Sequence, residues 1–177
     1  SWSAQSSILW FLGSHCLDTL RFLMNSEVER VYSVSREGVL KDLGVDVPDM
    51  YLTTLEFKSG AIAQMESGWI TPNANTCIND IKFTVLGTEG MVNIDCSSHN
   101  MIQAVTDKKV VTPVIIVRNK VDGKVKGFAY ESIRSFVDRI LDGKEFLVTK
   151  EDAANTSLAL LAVMESAKTR EPVVVKY

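Results

Sequence analysis

Residues 12–18 read Leu-Gly-Ser-His-Cys-Leu-Asp and combine the side chains in this chain that are best suited to proton chemistry. They include His15, one of only two histidines. Histidine is the side chain whose unperturbed pKa lets it exchange protons near neutral pH. Asp18 follows three residues later, which on a helix is the same face about one turn along. A histidine placed in this way can exchange a proton with a substrate hydroxyl or carbonyl.

The spacing of apolar residues predicts that one helix, from about residue 7 to residue 24, positions His15. Six apolar side chains fall on one arc at helical periodicity: Ile8, Leu9, Leu12, Cys16, Leu20 and Leu23. His15 lies at the edge of that arc, at the border between core and solvent. Two interpretations stay open at this point. In the first, His15 is a proton-transfer residue. In the second, it is a packed structural histidine, and Asp18 either holds its ring or faces water.

Composition limits the kinds of protein that this chain can be. Its 177 residues are enough for one well-buried domain, and 46% are hydrophobic and 23% charged. A net charge of -3 gives no electrostatic footprint for nucleic acid, and no apolar run is long enough to span a membrane. No secretory leader is visible. The three isolated cysteines indicate neither a disulfide framework nor a metal site, and they fit a cytoplasmic location.

The order of predicted elements is typical of an α+β fold. Strands are predicted at residues 28–34, 50–58, 61–70, 78–86, 91–95, 101–105, 110–118 and 172–176, and further helices at residues 130–141 and from 150 to about 169. Ser59-Gly60 is predicted as a two-residue hairpin turn, Gly143 as a helix C-cap, and Thr149 to Asp152 as a capping box. We expect a single domain with a mainly antiparallel open sheet and helices packed on one face. The other face is then available for oligomer contacts.

Several catalytic motifs are absent from the sequence. No G-x-G-x-x-G follows a strand, and Gly87-Thr88-Glu89-Gly90 is predicted as a turn between two strands. No G-x-S-x-G nucleophile elbow occurs. His99 is assigned to a surface turn. His15 is therefore the candidate proton-transfer residue of this chain.

Five short motifs in order carry a resemblance to a known family. They lie at residues 12–18 (L-G-S-H-C-L-D), 55–61 (L-E-F-K-S-G-A), 67–69 (S-G-W), 85–90 (V-L-G-T-E-G), and 150–153 with 165–167 (K-E-D-A and E-S-A). Together they resemble the C-terminal domain of the Gfo/Idh/MocA family, which includes glucose-fructose oxidoreductase and inositol dehydrogenase. The resemblance spans nearly the whole chain. It implies the open antiparallel sheet found in that domain and in dihydrodipicolinate reductase.

The resemblance also implies an activity. Family members are two-domain oxidoreductases that transfer hydride between NAD or NADP and a sugar, cyclitol or related polyol. Residues 1–177 then form the substrate-binding and oligomerisation domain, which builds a homodimer or tetramer through its open sheet face. The cofactor is bound mainly by an N-terminal Rossmann domain absent from this chain, and no metal is required. His15 is the catalytic candidate, and the substrate-binding candidates are Asp18, Trp69, Asn73 and Asn75.

Phe11 departs from the family pattern. Active members often carry an aspartate four residues before the helix histidine, and Phe11 occupies that position here. The histidine therefore lacks a carboxylate neighbour that helps to orient substrate. This leaves an alternative function from another class, in which the domain has kept its fold as a non-catalytic ligand-sensing or assembly module.

Overall fold

The computed structural model describes residues 2–75, 77, 79–97, 103–111 and 118–177. These residues form an α+β fold in which every strand pair is antiparallel, as predicted. The chain divides into two compact units, one comprising Ser1–Pro72 with Val148–Tyr177 and the other Asn73–Leu147. No helix in the described part of the chain is long and apolar enough to cross a membrane.

A four-stranded sheet forms the centre of the first unit. Its strands lie in the order β10-β1-β2-β3, and their bounds are β1 (Val28–Arg36), β2 (Met50–Phe57), β3 (Ile62–Gly68) and β10 (Val173–Val174). The helical elements of the unit are a 3-10 helix (Trp2–Gln5), a π turn (Leu9–Gly13), α1 (Ser14–Met24), α2 (Val39–Asp42) and α4 (Lys150–Thr169). α4 packs against β1, the π turn contacts β3 and α4, and α1 packs against α4. The core lies between these helical elements and the buried face of β1 and β2.

Side chains alternate between the two faces of β2, as expected of the strand predicted at residues 50–58. Tyr51, Thr53, Leu55 and Phe57 are all buried, whereas Leu52 is exposed on the opposite face. A strand with one face against the core requires this period of two.

The hairpin loop between β2 and β3, enclosed by the hydrogen bond from Phe57 to Ala61, has three residues, so the prediction of a two-residue turn was wrong. Phe57 N–H donates to Ala61 O at 2.9 Å, and Gly60 N–H donates to Phe57 O at 2.8 Å. These bonds leave Lys58, Ser59 and Gly60 as the loop. Gly60 has a φ of 86°, the left-handed conformation that closes three-residue hairpins and that glycine adopts without strain.

The first predicted helix is not a uniform α-helix. The chain runs through a π turn, Leu9–Gly13, before α1 begins at Ser14. Ser7 supports the start of this turn, because its carbonyl accepts from Trp10 and Phe11 N–H and its Oγ accepts from Leu9 N–H. Gly13 ends the turn in the core, where an added Cβ would lie only 3.2 Å from Leu9 Cδ2. Apolar periodicity alone does not separate a π turn from an α turn.

A buried arginine joins the helical layer together. Arg21, on α1, is only 7% exposed, and its Nε and Nη2 donate to the two carboxylate oxygens of Glu27 at 2.8 and 2.6 Å. Its Nη1 donates to Asp18 Oδ1 at 3.2 Å, to Asp152 O at 3.0 Å and to Thr156 Oγ1 at 2.7 Å. The guanidinium therefore fixes α1 to the segment before β1 and to the first turns of α4. Paired, bidentate bonding of this kind is what makes a buried charge tolerable.

Hydrogen bonds and burial shift the pKa values of groups in and beside this cluster. The hydrogen bond with Glu27 raises the pKa of Arg21, and the same bond lowers the pKa of Glu27. Hydrogen bonds from the Thr149 side chain and backbone lower the pKa of Asp152. Burial raises the pKa of Tyr177 to about 12, and its hydroxyl donates to Val28 O at 2.8 Å.

Both ends of α4 are fixed by polar contacts. Thr149 and Asp152 form the predicted capping box at its start. Near its other end, the fully buried Ser166 donates to Glu171 O at 2.6 Å and accepts from Ser33 N–H at 2.9 Å. That amide lies beyond the short pairing of β10 with β1, and Ser166 satisfies it there. The hydroxyl thus seats α4 on the sheet.

Three hairpins and one helix make up the described part of the second unit. The hairpins are β4 (Lys82–Leu86) with β5 (Met91–Asp95), β6 (Ala104–Val105) with β7 (Val110–Val111), and β8 (Asn119–Val121) with β9 (Lys124–Lys126), and the helix is α3 (Phe128–Asp142). Gly143 caps α3 in the left-handed conformation, as predicted. Of the predicted strands, residues 78, 101–102 and 112–117 lie outside the described residues.

We expect Arg21→Met to lower the free energy of unfolding by about 3 kcal/mol, because it leaves Glu27 without its partner. The matched control is Arg30→Met. Arg30 also makes a two-bond pair, with Glu56, but these side chains are 51% and 43% exposed, so the loss should stay below about 1 kcal/mol. Urea denaturation of both variants measures the difference. Equal losses would contradict the role assigned to Arg21.

The lowered pKa of Glu27 sets a pH dependence of stability. A carboxylate with a lowered pKa in the folded state contributes stability above its unfolded value, 4.5, and loses it as pH falls through the folded value. The urea midpoint should therefore decline as the pH falls from about 4.5 through the lower pKa that Glu27 has in the folded protein. Glu27→Gln should flatten this decline, whereas Glu29→Gln, at an exposed position, should leave it unchanged. A decline of the same steepness in Glu27→Gln would rule this explanation out.

Candidate active site

His15 lies on the second residue of α1 and is exposed. Its carbonyl accepts a hydrogen bond from Thr19 Oγ1 at 2.7 Å. Its imidazole makes no hydrogen bond with any residue that the structure describes. The ring is thus held by the helix and open to a ligand. A structural histidine packed in the core would be enclosed, and His15 is not.

Asp18 faces the arginine cluster. Its Oδ1 accepts from Arg21 Nη1 at 3.2 Å and from Thr156 Oγ1 at 3.1 Å. These contacts place the carboxylate between α1 and α4. Its side chain is nevertheless 47% exposed, so it stays accessible from solvent. These hydrogen bonds give Asp18 a part in holding α1. The substrate contact predicted from the sequence would use the accessible part of the same carboxylate.

Trp69 and Phe11 form an aromatic pair. Trp69 directly follows β3, and its ring stacks on that of Phe11 in the π turn, with centroids 5.3 Å apart and planes inclined by 24°. Trp69 is half-buried, and Phe11 is 40% exposed. Offset stacking of this kind is favourable beyond the apolar area it buries. The pair links the end of β3 to the turn that leads into His15.

Asp49 fixes the backbone next to Trp69. Its carbonyl accepts from Trp69 N–H at 2.8 Å. Its fully buried carboxylate accepts from Val39 and Leu40 N–H at 2.9 and 2.8 Å and from Arg36 Nη1 at 3.2 Å. Backbone amides and a guanidinium together compensate the buried charge. The connection between β1 and β2 is thereby anchored at the strand end that carries Trp69.

Asn73 and Asn75 belong to the second unit, and both are exposed. Asn75 Nδ2 donates to Cys77 Sγ at 3.8 Å. The structure therefore brings His15, Asp18 and Trp69 into one unit and places the two asparagines in the other. His99 lies outside the described residues.

The described residues include no parallel β-α-β unit. The Rossmann type of dinucleotide site combines a strand, a glycine-rich loop and a helix whose N-terminus faces the pyrophosphate within such units. The strands described here pair only antiparallel, and the Gly87–Gly90 turn joins β4 to β5. Within the same residues, no group of three or more His, Cys, Asp or Glu side chains could hold a metal ion.

Sequence reasoning missed two features of the site. The stacking of Phe11 on Trp69 joins residues that are far apart in the chain, and its only signal was an aromatic residue near the polar edge of a helix. Arg21 was missed as well. Its signal was a long cationic side chain three residues after Asp18 and next to the apolar Leu20, a position where a charge must find partners.

Comparison with known proteins identifies the fold. The family model of the GFO/IDH/MocA C-terminal domain matches residues 1–93. No curated protein matches the chain. Among solved structures, GenD2 from gentamicin A biosynthesis in complex with NAD is similar with a TM-score of 0.76 and 24% identity, covering 96% of this chain and 48% of GenD2.

Two inositol dehydrogenases are similar in fold as well. Myo-inositol 2-dehydrogenase from Lactobacillus plantarum has a TM-score of 0.73 and 18% identity, covering 99% of this chain and 51% of the enzyme. Scyllo-inositol dehydrogenase from Lactobacillus casei, with bound NAD(H) and scyllo-inositol, has a TM-score of 0.68 and 19% identity over 92% and 46% of the two chains. The chain thus spans about half the length of these structures. It belongs to the GFO/IDH/MocA family and corresponds to the C-terminal domain.

Proposed function

We propose that this chain is the substrate-binding and oligomerisation domain of a two-domain oxidoreductase. The complete protein transfers hydride between NAD or NADP and a sugar, cyclitol or related polyol. Family membership and the fold support this assignment. The observation that carries it is the exposed side chain of His15 on a helix that Arg21 anchors, four residues after Phe11 of the aromatic pair. The cofactor is assigned in this proposal to a separate Rossmann domain, as the family resemblance implies for proteins about twice the length of this chain.

His15 supplies the proton chemistry in this proposal. When a secondary alcohol is oxidised to a ketone, its carbon loses a hydride and its hydroxyl loses a proton. Neutral imidazole accepts that proton, and in the reverse direction imidazolium returns it to the carbonyl oxygen. The nicotinamide supplies the hydride chemistry. Because Arg21 anchors α1, the backbone that carries the ring keeps its position while substrate binds.

The remaining candidates are assigned to substrate binding. Trp69, in the same unit as His15, offers a half-buried ring, and the exposed Asn73 and Asn75, in the other unit, stay predictions from the sequence as substrate-binding residues. Asp18 contributes the accessible part of its carboxylate while its Oδ1 holds Arg21 and Thr156. The three isolated cysteines support a cytoplasmic location for the whole protein.

We expect His15→Gln, in the protein that carries this domain, to lower kcat by about 10²–10⁴-fold, the usual contribution of a positioned acid-base group. Polyol binding, measured by calorimetry, should change far less, because the amide keeps a hydrogen-bonding group at this position. Thr19→Ala, next to His15 on α1, serves as a control that should retain turnover. Wild-type turnover in His15→Gln would overturn the assignment of His15. Polyol binding by wild-type protein without any turnover would favour the ligand-sensing alternative.

The outer face of the sheet is assigned to assembly into a homodimer or tetramer. Tyr32 on β1, Leu52 on β2 and Ile62 on β3 all point away from the helices and are exposed. Neighbouring polar side chains on this face include the Arg30–Glu56 ion pair. Apolar groups surrounded by polar ones are common at interfaces between subunits.

Sedimentation velocity tests this surface. Leu52→Glu should convert the oligomer into monomers, because it would bury a charge at a two-fold interface twice, once for each copy. Phe22→Glu changes an exposed side chain on α1 in the same way and should leave the assembly intact. A wild-type protein that sediments as a monomer at all concentrations would refute the proposed interface.

A further inference from the structure

Phe11 is an exposed aromatic residue of the π turn that leads into α1, the helix that carries His15. It precedes His15 by four residues. The hydrogen bonds of a π turn span five residues instead of four, so this turn takes more residues per rotation than an α-helix does. Across the Leu9–Gly13 turn, a separation of four residues is therefore close to one full rotation. Phe11 and His15 consequently lie on the same side of the helical segment.

The ring of Phe11 is also held in place. Trp69 stacks on it from the end of β3, and Asp49 fixes the backbone of Trp69. The π turn itself is supported by Ser7. Unlike Phe22, which is 82% exposed on α1, Phe11 thus belongs to a rigid apolar surface. This surface adjoins a group that can exchange protons.

We propose that the Phe11–Trp69 pair is the specificity-determining surface of the substrate site and that it receives the apolar C–H face of a cyclic polyol. The proposal rests on the assigned function for the reaction, but the binding surface is defined by the aromatic pair itself. A six-membered polyol ring with equatorial hydroxyls presents C–H groups on its two faces and hydroxyls at its rim. Stacking one face on the aromatic pair leaves a rim hydroxyl for His15.

This arrangement has two consequences for selectivity. Phe11 can neither donate nor accept a hydrogen bond. A hydroxyl directed at its ring would therefore lose its hydrogen bonds to water and gain none in their place. Rings with an axial hydroxyl on the stacked face are therefore disfavoured. Acyclic polyols have no fixed apolar face and lose more conformational freedom on binding. The surface accordingly selects cyclic over acyclic polyols.

Fluorescence titration tests the proposal in the protein that carries this domain. Substituting Trp2 and Trp10 by Phe leaves Trp69 as the fluorophore of this chain. Scyllo-inositol, whose hydroxyls are all equatorial, should change Trp69 emission in a saturable way. Sorbitol, an acyclic polyol, should do so only at about tenfold or higher concentration. In kinetic assays, Phe11→Ala should raise KM for the cyclic polyol about tenfold with a smaller change in kcat, as expected when uniform binding is lost.

Two further variants separate binding from folding. Phe11→Tyr keeps an aromatic ring and should restore most of the affinity that Phe11→Ala loses. Phe22→Ala removes an exposed phenylalanine from the same helix and should leave both affinity and KM unchanged. Thermal unfolding of each variant shows whether its fold is intact. If Phe11→Ala is unstable, Phe11→Leu, which keeps apolar volume without a ring, takes its place.

The outcomes distinguish this inference from the assigned function. Turnover of a polyol with no effect of Phe11→Ala or Phe11→Leu on KM would overturn the aromatic surface and leave the oxidoreductase assignment standing. A saturable change in Trp69 emission that needs less cyclic than acyclic polyol, without turnover, would support the surface and count against the assigned reaction. If cyclic and acyclic polyols changed Trp69 emission at equal concentrations, the selectivity proposed here would be overturned.

Discussion

The packing of the helical layer in the first unit depends on the hydrogen bonds of the Arg21 guanidinium. The guanidinium binds Glu27 through two short hydrogen bonds and also contacts Asp18, Asp152 and Thr156. A charge this deeply buried must be fully paired, because an unpaired one would cost several kcal/mol. Its partners lie on α1, at the entry to β1 and on α4, so the three segments can pack in only a narrow range of arrangements. Since His15 lies on α1, the position of its backbone follows from the same cluster.

The aromatic pair attaches this helical layer to the sheet at the other end of the site. Phe11 belongs to the π turn and Trp69 to the end of β3. Asp49 closes the connection beside them with a buried carboxylate. Two sets of contacts therefore hold the site: the ion pairs and hydrogen bonds of Arg21 on α1, and the stacking of Phe11 on Trp69 before α1 begins. Such preorganisation is what a proton-transfer group needs in order to meet one hydroxyl of a substrate with several.

Local patterns predicted much of this fold, and long-range contacts explain what they did not. The alternation along β2, the capping box at Thr149 and the C-cap at Gly143 each depend on a few neighbouring residues, and each was confirmed. The three-residue loop ending at Gly60 and the π turn differ from the predictions because both depend on hydrogen-bond register, which composition does not specify. Arg21 meets residues up to 135 positions away, and no periodicity encodes such a contact. His15 could be singled out from its residue type alone, whereas its surroundings could not.

A crystal structure of the protein carrying this domain, with nicotinamide cofactor and scyllo-inositol bound, tests the central claim most directly. The account predicts the ring face of the polyol against Phe11 and Trp69, with one hydroxyl within hydrogen-bonding distance of a ring nitrogen of His15. A polyol bound away from the aromatic pair, with His15 facing solvent, would contradict it.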